Sequence, residues 1–290
     1  MKHIFIVNPV SGAGYADKIS RNIETVCIKE KIDFEIRYTN KPKEATVIAR
    51  SYKKEECIIY SVGGDGTLLE VLNGIVGTKN LLGVIPAGSG NDFYKNLKDN
   101  DELEVPIDIG KINDKYFLNV AAIGIDAEIA DNAKIMKKRK IPPSQIYNAS
   151  ILYTFFKYKF KKLSLTVDKE EKEGKYTIIA ICNGKYYGGG YKIGPNAKID
   201  DGLFDIYLAD AMPKIKILGL IPKLKKGMHE SSKYITKIES NNIKIKSKSS
   251  IVCTIDGEIL FDTSFDIRII KNGVTIYNNK KLVNKILGRK

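Results

Sequence analysis

Tryptophan is absent from these 290 residues, histidine occurs twice and cysteine four times. The two histidines, His3 and His229, stand apart with no cysteine or histidine beside them, which argues against a zinc centre or histidine catalysis. Cys27, Cys57, Cys182 and Cys253 are scattered and form no C-x-x-C pair, so a redox dithiol is excluded and reduced thiols are expected. Long apolar runs are missing too. Residues 4–7 are too few for a signal-peptide core, and no stretch approaches the roughly 18 apolar residues of a membrane span. The expectation is a soluble, cytoplasmic protein.

Acidic residues are lacking in three places. Residues 132–167, 211–229 and 267–290 contain nine, five and seven Lys or Arg and no Asp or Glu. Elsewhere 27 basic residues face 34 acidic ones, so the formal charge of +14 belongs to those three segments. The first also carries Tyr147, Tyr153, Phe155, Phe156, Tyr158 and Phe160. Interleaved basic and aromatic residues suit an anionic membrane surface better than a nucleic acid, and no nucleic-acid partner is expected. A lysine-rich solvated face above core aromatics is the competing reading.

What is present begins with repeated β-loop-α units. Residues 4–7 form a buried-type strand, a loop over 8–14 follows, and Ile19, Ile23, Val26 and Cys27 mark a helix. A strand over 34–38, a helix opening at Pro42, a strand over 58–62, a helix with Leu68, Leu69, Leu72, Ile75 and Val76 on one face, and a strand over 81–85 continue the series. Such alternation implies a parallel sheet covered on both faces, with ligands gathering at the carboxyl ends of its strands. Three glycine-bearing loops, at 8–14, 63–67 and 86–92, are therefore expected to converge.

The run Gly63-Gly64-Asp65-Gly66-Thr67 lies between a strand and a helix start, where glycines admit a phosphate to the backbone N–H groups. A carboxylate at that point, Asp65, calls for a cation between it and the phosphates, so the motif suggests a nucleotide held with Mg²⁺. It is no Walker A loop, because no Lys-Ser/Thr pair follows the last glycine. In the loop at 86–92, Ser89, Asn91 and Asp92 bring a hydroxyl, an amide and a carboxylate close to another helix start. Capping would explain any one of them, but it does not call for glycine-rich neighbours, so a functional role is the favoured reading for the loop as a whole.

Beyond about residue 105 helical periodicity becomes rare. Short strand-like runs at 116–120, 163–167, 177–182, 204–209, 243–245, 251–255, 265–270 and 274–277 fit an antiparallel sandwich or barrel. Helical stretches are expected at about 145–160 and 213–235, and a short amphipathic helix at 280–290. Asn183-Gly184 with Gly188, Gly189 and Gly190, then Asp200-Asp201-Gly202-Leu203, and Asp256-Gly257-Glu258 read by pattern alone as hairpin turns.

Taken in order, Asn8-Pro9 with Ser11-Gly12 and Gly14, the 63–67 run, the 86–92 loop, Gly124 with Asp126-Ala127, Asn183-Gly184 with the three glycines, Asp201-Gly202-Leu203 and Asp256-Gly257-Glu258 resemble the diacylglycerol kinase-like lipid kinases of bacteria, a family that includes sphingosine and ceramide kinases. NAD kinases are similar at the 63–67 run, but the seven ordered blocks favour the lipid kinases. The resemblance implies an α/β plus all-β chain: a Rossmann-like three-layer α/β domain over 1–120, completed by 278–290, and a β-sandwich over 121–277 that helps to hold a lipid.

It further implies a kinase using ATP and Mg²⁺ to phosphorylate a hydroxyl of a diacylglycerol-like lipid at the inner membrane face. Asn8, Pro9, Val10, Ser11, Gly12, Thr39, Gly63, Gly64, Asp65, Gly66, Thr67, Leu68, Leu69, Ser89 and Asn91 would line the nucleotide. Asp65 and Asp92 would organise magnesium and phosphates. Lys198, Asp201 and Leu203 would hold a structural magnesium, and Asp126 would face the lipid. Glu258 is the implied general base, with Asp256 its neighbour. Where the family commonly has Thr, this chain has Ser89, which keeps the hydroxyl. Peripheral attachment through the basic segments and a homodimer complete the expectations. The alternatives are an NAD kinase-like phosphotransferase and a non-catalytic lipid- or nucleic-acid-binding protein.

Overall fold

Strands that are apolar at every position, such as Ile4, Phe5, Ile6 and Val7, can be satisfied only by a sheet buried on both faces. A computed structural model, which describes residues 1–289 other than 126, 130, 133–149, 151, 152, 155 and 156, places them in one. The chain divides into two compact units, Met1–Ile109 with Ile270–Lys290, and Gly110–Ile269.

In the first unit, β1 (Lys2–Val7), α1 (Tyr15–Lys29), β2 (Phe34–Tyr38), α2 (Glu44–Ser51), β3 (Cys57–Gly63), α3 (Asp65–Ile75), β4 (Leu81–Pro86) and α4 (Asp92–Asn96) follow one another. The strands pair in parallel in the order β2, β1, β3, β4, and residues Ile276 and Tyr277 add a further parallel strand beside Leu82 and Gly83. On one face Phe5, Val7, Tyr60 and Val62 pack with Ile19, Ile23 and Cys27 of α1. Leu282, Val283, Ile286 and Leu287 of the C-terminal helix, Lys280–Leu287, join the same core. The expected amphipathic helix at 280–290 thus lays its apolar side on the first unit, and burial explains its pattern.

The second unit is antiparallel throughout its named pairs. After β5 (Glu104–Ile112), which starts in the first unit, come β6 (Lys115–Phe117), β7 (Val120–Gly124), β8 (Lys162–Val167), β9 (Glu170–Cys182), β10 (Phe204–Asp210), α5 (Lys214–Lys226), β11 (Ile235–Ser240), β12 (Asn242–Ile255) and β13 (Glu258–Tyr277), with α6 (Lys280–Leu287) closing the chain. β9 pairs β8 through its first half and β7 through its second, and β12 does the same, so both long strands are shared around a sandwich. Val120, Ala122, Ala180, Cys182 and Tyr207 lie in its core.

Several elements differ from the sequence reading. The run at 116–120 is two strands, because Leu118 and Asn119 turn their N–H groups to the Asp256 carboxylate. The runs at 243–245 and 251–255 belong to one strand, β12, whose register shifts between Lys246 and Ile251. β5 went unread because Pro106 interrupts it, although Val105, Ile107 and Ile109 alternate as a strand should. The helix expected at 213–235 ends at Lys226, where Gly227 takes a left-handed conformation. The helix expected at about 145–160 falls largely outside the described residues. Both crossings between the units fall inside strands, β5 and β13, so no linker composition marks them.

Candidate active site

The carboxyl ends of β1, β3 and β4 carry the three glycine loops, and backbone contacts tie these together. Asn8 N–H donates to the Val62 carbonyl at 3.1 Å, and Ala87 N–H to the Gly63 carbonyl at 2.8 Å. Such closeness requires glycine. A Cβ at Gly88 would come within 2.3 Å of Gly64 Cα, and one at Gly12, whose φ is +59°, within 2.4 Å of the Ala87 carbonyl oxygen. A Cβ at Gly66 would meet nothing within 4 Å, so the first turn of α3 opens onto free space. Unpaired N–H groups at that turn and the helix dipole suit a phosphate, so the residues present fit the polyphosphate of a nucleotide.

Side chains brace this backbone cradle. Asn8 Nδ2 donates to Thr67 Oγ1 at 3.1 Å, joining the first loop to α3. Thr39 is buried and donates its N–H to the Val7 carbonyl at 2.9 Å, which fixes the end of β1. Asn91, at φ +51°, closes its own loop: its Oδ1 accepts from Gly88 N–H at 3.0 Å and its Nδ2 donates to the Gly88 carbonyl at 2.7 Å. Leu68 and Leu69 are buried, so their side chains serve the core and only their backbone can face a nucleotide. Val10 and Ser89 are exposed.

The two carboxylates differ. Asp65 is half-buried at the first turn of α3, and its Oδ1 accepts from Phe93 N–H at 3.1 Å. It therefore ties α3 to α4. Asp92 is buried, and its Oδ1 accepts from Lys95 Nζ at 2.6 Å. No cluster of three or more His, Cys, Asp or Glu side chains suited to a metal occurs among the described residues. A magnesium ion fits here in the manner usual for it, held by one or two carboxylates together with phosphate oxygens. Asp65 is the carboxylate that would hold it.

The other residues singled out in the sequence lie in the second unit. Asp256 and Gly257, both at positive φ, form the two-residue turn joining β12 and β13. The Asp256 carboxylate accepts from the N–H groups of Leu118, Asn119 and Val120 at 2.7–3.2 Å. Three backbone donors make Asp256 a positioning group for the turn rather than a free base. Asn183 belongs to the same arrangement: its N–H and that of Gly184 donate to the Asn119 carbonyl, and its Nδ2 to the Leu118 carbonyl at 2.7 Å. Glu258, next after the turn, projects about one-third exposed and pairs with Lys115 of β6.

Asp201 is exposed, and its Oδ1 accepts from its own Leu203 N–H at 3.1 Å, so an Asx turn with Gly202 at φ +77° accounts for the loop that also holds Lys198. Asp126 lies outside the described residues. Lys115 and Asn119 were missed in the sequence, since one lysine among 48 basic residues carries no signal. Burial raises the Glu128 carboxyl pKa against the pull of Lys161 at 3.7 Å.

Comparison with known proteins now decides the family. The model of the diacylglycerol kinase catalytic domain matches residues 2–117, and that of the YegS C-terminal NAD kinase beta sandwich-like domain matches residues 119–278. The chain belongs to the diacylglycerol kinase-like lipid kinases. Among its relatives, "Putative lipid kinase YtlR" of Bacillus subtilis is 28% identical over 91% of this chain and 96% of its own. A "Diacylglycerol kinase" of Mycobacterium tuberculosis is 29% identical over 88% and 90%. The crystal structure of "a putative diacylglycerol kinase from Bacillus anthracis str. Sterne" shares the fold, with a TM-score of 0.77 over 97% of this chain and 96% of that one at 24% identity. As a lipid kinase, the chain has its glycine cradle inside the catalytic-domain match and Glu258 inside the β-sandwich match.

Proposed function

We propose that this kinase transfers the γ-phosphoryl group of ATP, with Mg²⁺, to a hydroxyl of a diacylglycerol-like lipid. The observation that carries the reading is the cradle at the carboxyl ends of β1, β3 and β4, where glycine backbone and the first turn of α3 offer N–H groups to a polyphosphate with Asp65 alongside. In the transfer, a base takes the lipid hydroxyl proton, the alcohol oxygen bonds to the γ-phosphorus, and the bond to the β-phosphate oxygen breaks to release ADP. Glu258 is the proposed base, because it is a reachable carboxylate whose neighbour Asp256 is engaged by backbone N–H groups. Lys115 holds Glu258 in place. Magnesium, when bound, would neutralise charge on the phosphates.

A lipid substrate requires access to a membrane surface. No helix among the described residues is long and apolar enough to cross a membrane. Helix α5 has the character of an interfacial element instead: Lys214, Lys216, Lys223, Lys225 and Lys226 lie on it, and Ile215, Leu218 and Ile221 are exposed, with Met228 just beyond its end. Each such lysine contributes about 1 kcal/mol near an anionic surface. We place the enzyme at the inner face of the membrane, attached peripherally.

The test is acceptor choice. Incubated with ATP, Mg²⁺ and either vesicles containing diacylglycerol or NAD, the protein is expected to phosphorylate the lipid. Phosphorylated NAD with untouched lipid would overturn the substrate assignment, and transfer to neither acceptor would favour a binding protein.

A further inference from the structure

One polar side chain in the second unit is left over by this account. A cavity of about 210 Å³ lies there, walled by Ile178, Ile193, Met212, Ile217, Leu224 and Ile235 among other apolar residues. His229, on the short 3₁₀ turn His229–Ser231 after α5, reaches the same cavity. It is 1% exposed, and neither ring nitrogen makes a hydrogen bond of good geometry. Among the described residues the Ile193 backbone is the one chain group that bonds to the ring, and the Tyr207 ring lies against it tilted by 58°, with 5.2 Å between centroids.

Three other polar side chains around the cavity are engaged, and Tyr191 is exposed. Thr177 Oγ1 donates to the Asp210 carbonyl at 2.8 Å, the Tyr187 hydroxyl is 2.7 Å from Thr254 Oγ1, and the Tyr207 hydroxyl donates to Glu230 Oε1 at 2.6 Å. Burial lowers the His229 pKa, so the ring is neutral, with one nitrogen a donor and the other an acceptor. Beyond that backbone contact neither nitrogen has a well-formed hydrogen bond, a buried donor or acceptor in that state is costly, and a cavity beside the ring gives a ligand the means to remove that cost.

We propose that His229 reads an oxygen atom on an otherwise apolar lipid chain lodged in this cavity, so that the second unit selects lipids by an ester carbonyl or a chain hydroxyl. The proposal rests on the lipid reading above. Its ligand chemistry follows from the walls, which exclude a charged or strongly hydrated molecule, and from the ring, which distinguishes an oxygenated chain from a plain one.

Binding, rather than turnover, tests it. The chain has two histidines, so ring ¹⁵N signals report on His229 with one other residue to separate. Full-length protein is titrated in bicelles with three probes: diacylglycerol, its di-O-alkyl analogue without carbonyls, and that analogue carrying a mid-chain hydroxyl. At least one oxygenated probe is expected to bind about tenfold tighter than the plain dialkyl lipid and to shift the His229 signals. Whichever oxygenated probe does so identifies the carbonyl or the hydroxyl as the group read. His229→Leu is expected to abolish the preference while binding the dialkyl lipid at least as well. If that variant fails to fold, discrimination and signal shifts in the unaltered protein decide alone. Equal affinity for all three, unmoved ring signals, a preference that survives His229→Leu, or no binding by any probe would overturn the inference. The kinase assignment would still stand or fall separately on phosphate transfer.

Discussion

In the first unit the loops after β1, β3 and β4 meet through backbone, close enough that a Cβ at Gly88 would lie 2.3 Å from Gly64 Cα. In the second, the residues of the sequence blocks meet through side chains, with the Asp256 carboxylate gathering three N–H groups and Asn183 Nδ2 reaching the Leu118 carbonyl. The two arrangements answer different chemical demands. A polyphosphate is bound well by fixed N–H dipoles, which glycine alone can present at such short range. Proton removal needs a carboxylate held at a definite angle, and in the proposed mechanism the turn anchored by Asp256 supplies that for Glu258.

The sharpest way to break the comparison is at Glu258. Glu258→Gln removes the proposed base but no contact of the cradle, so turnover is expected to fall about 10²–10⁴-fold in a lipid phosphorylation assay while ATP affinity holds. Gly88→Ala should do the reverse. Its Cβ must push the Gly64 backbone away, so nucleotide binding weakens and catalytic efficiency drops about 100-fold, read by ATP titration and initial rates.

How much of this was legible in advance follows the same division. The cradle could be read because glycine spacing and strand–loop–helix order are local in sequence, and Gly63, Gly64, Asp65 and Thr67 lie where the pattern placed them. Asp256-Gly257-Glu258 could be read as a turn, but not that its aspartate splits residues 116–120 into two strands, since that contact spans 138 positions from Leu118. The His229 cavity left no trace, because its walls come from residues scattered between Ile125 and Ile235. Apolar residues in strands and helices look alike whether they fill a core or line a cavity.

Smaller effects sharpen the account. Asp256→Asn keeps the shape but sets an amide NH₂ against backbone N–H groups, and is expected to cost about 1–3 kcal/mol of stability in chemical denaturation, with Glu258 misplaced as a consequence. The pH dependence is gentler. Burial lowers the pKa of both His3 and His229, so below the ordinary histidine range the unfolded chain binds more protons than the folded one. Stability should therefore be level above about pH 7 and decline as pH falls through about 6.5 towards the lower folded values. Replacing His3 with Phe and His229 with Leu together should flatten that decline in thermal unfolding.

The central claim is that nucleotide holding and proton removal are carried by separate sets of residues, the glycine cradle and Glu258. ATP affinity and single-turnover lipid phosphorylation, measured side by side in Gly88→Ala and Glu258→Gln, test it most directly. Weakened ATP binding in the first variant, and a lost transfer step with unchanged ATP binding in the second, is the predicted result. Unimpaired transfer in Glu258→Gln, or undiminished ATP affinity in Gly88→Ala, would contradict the account.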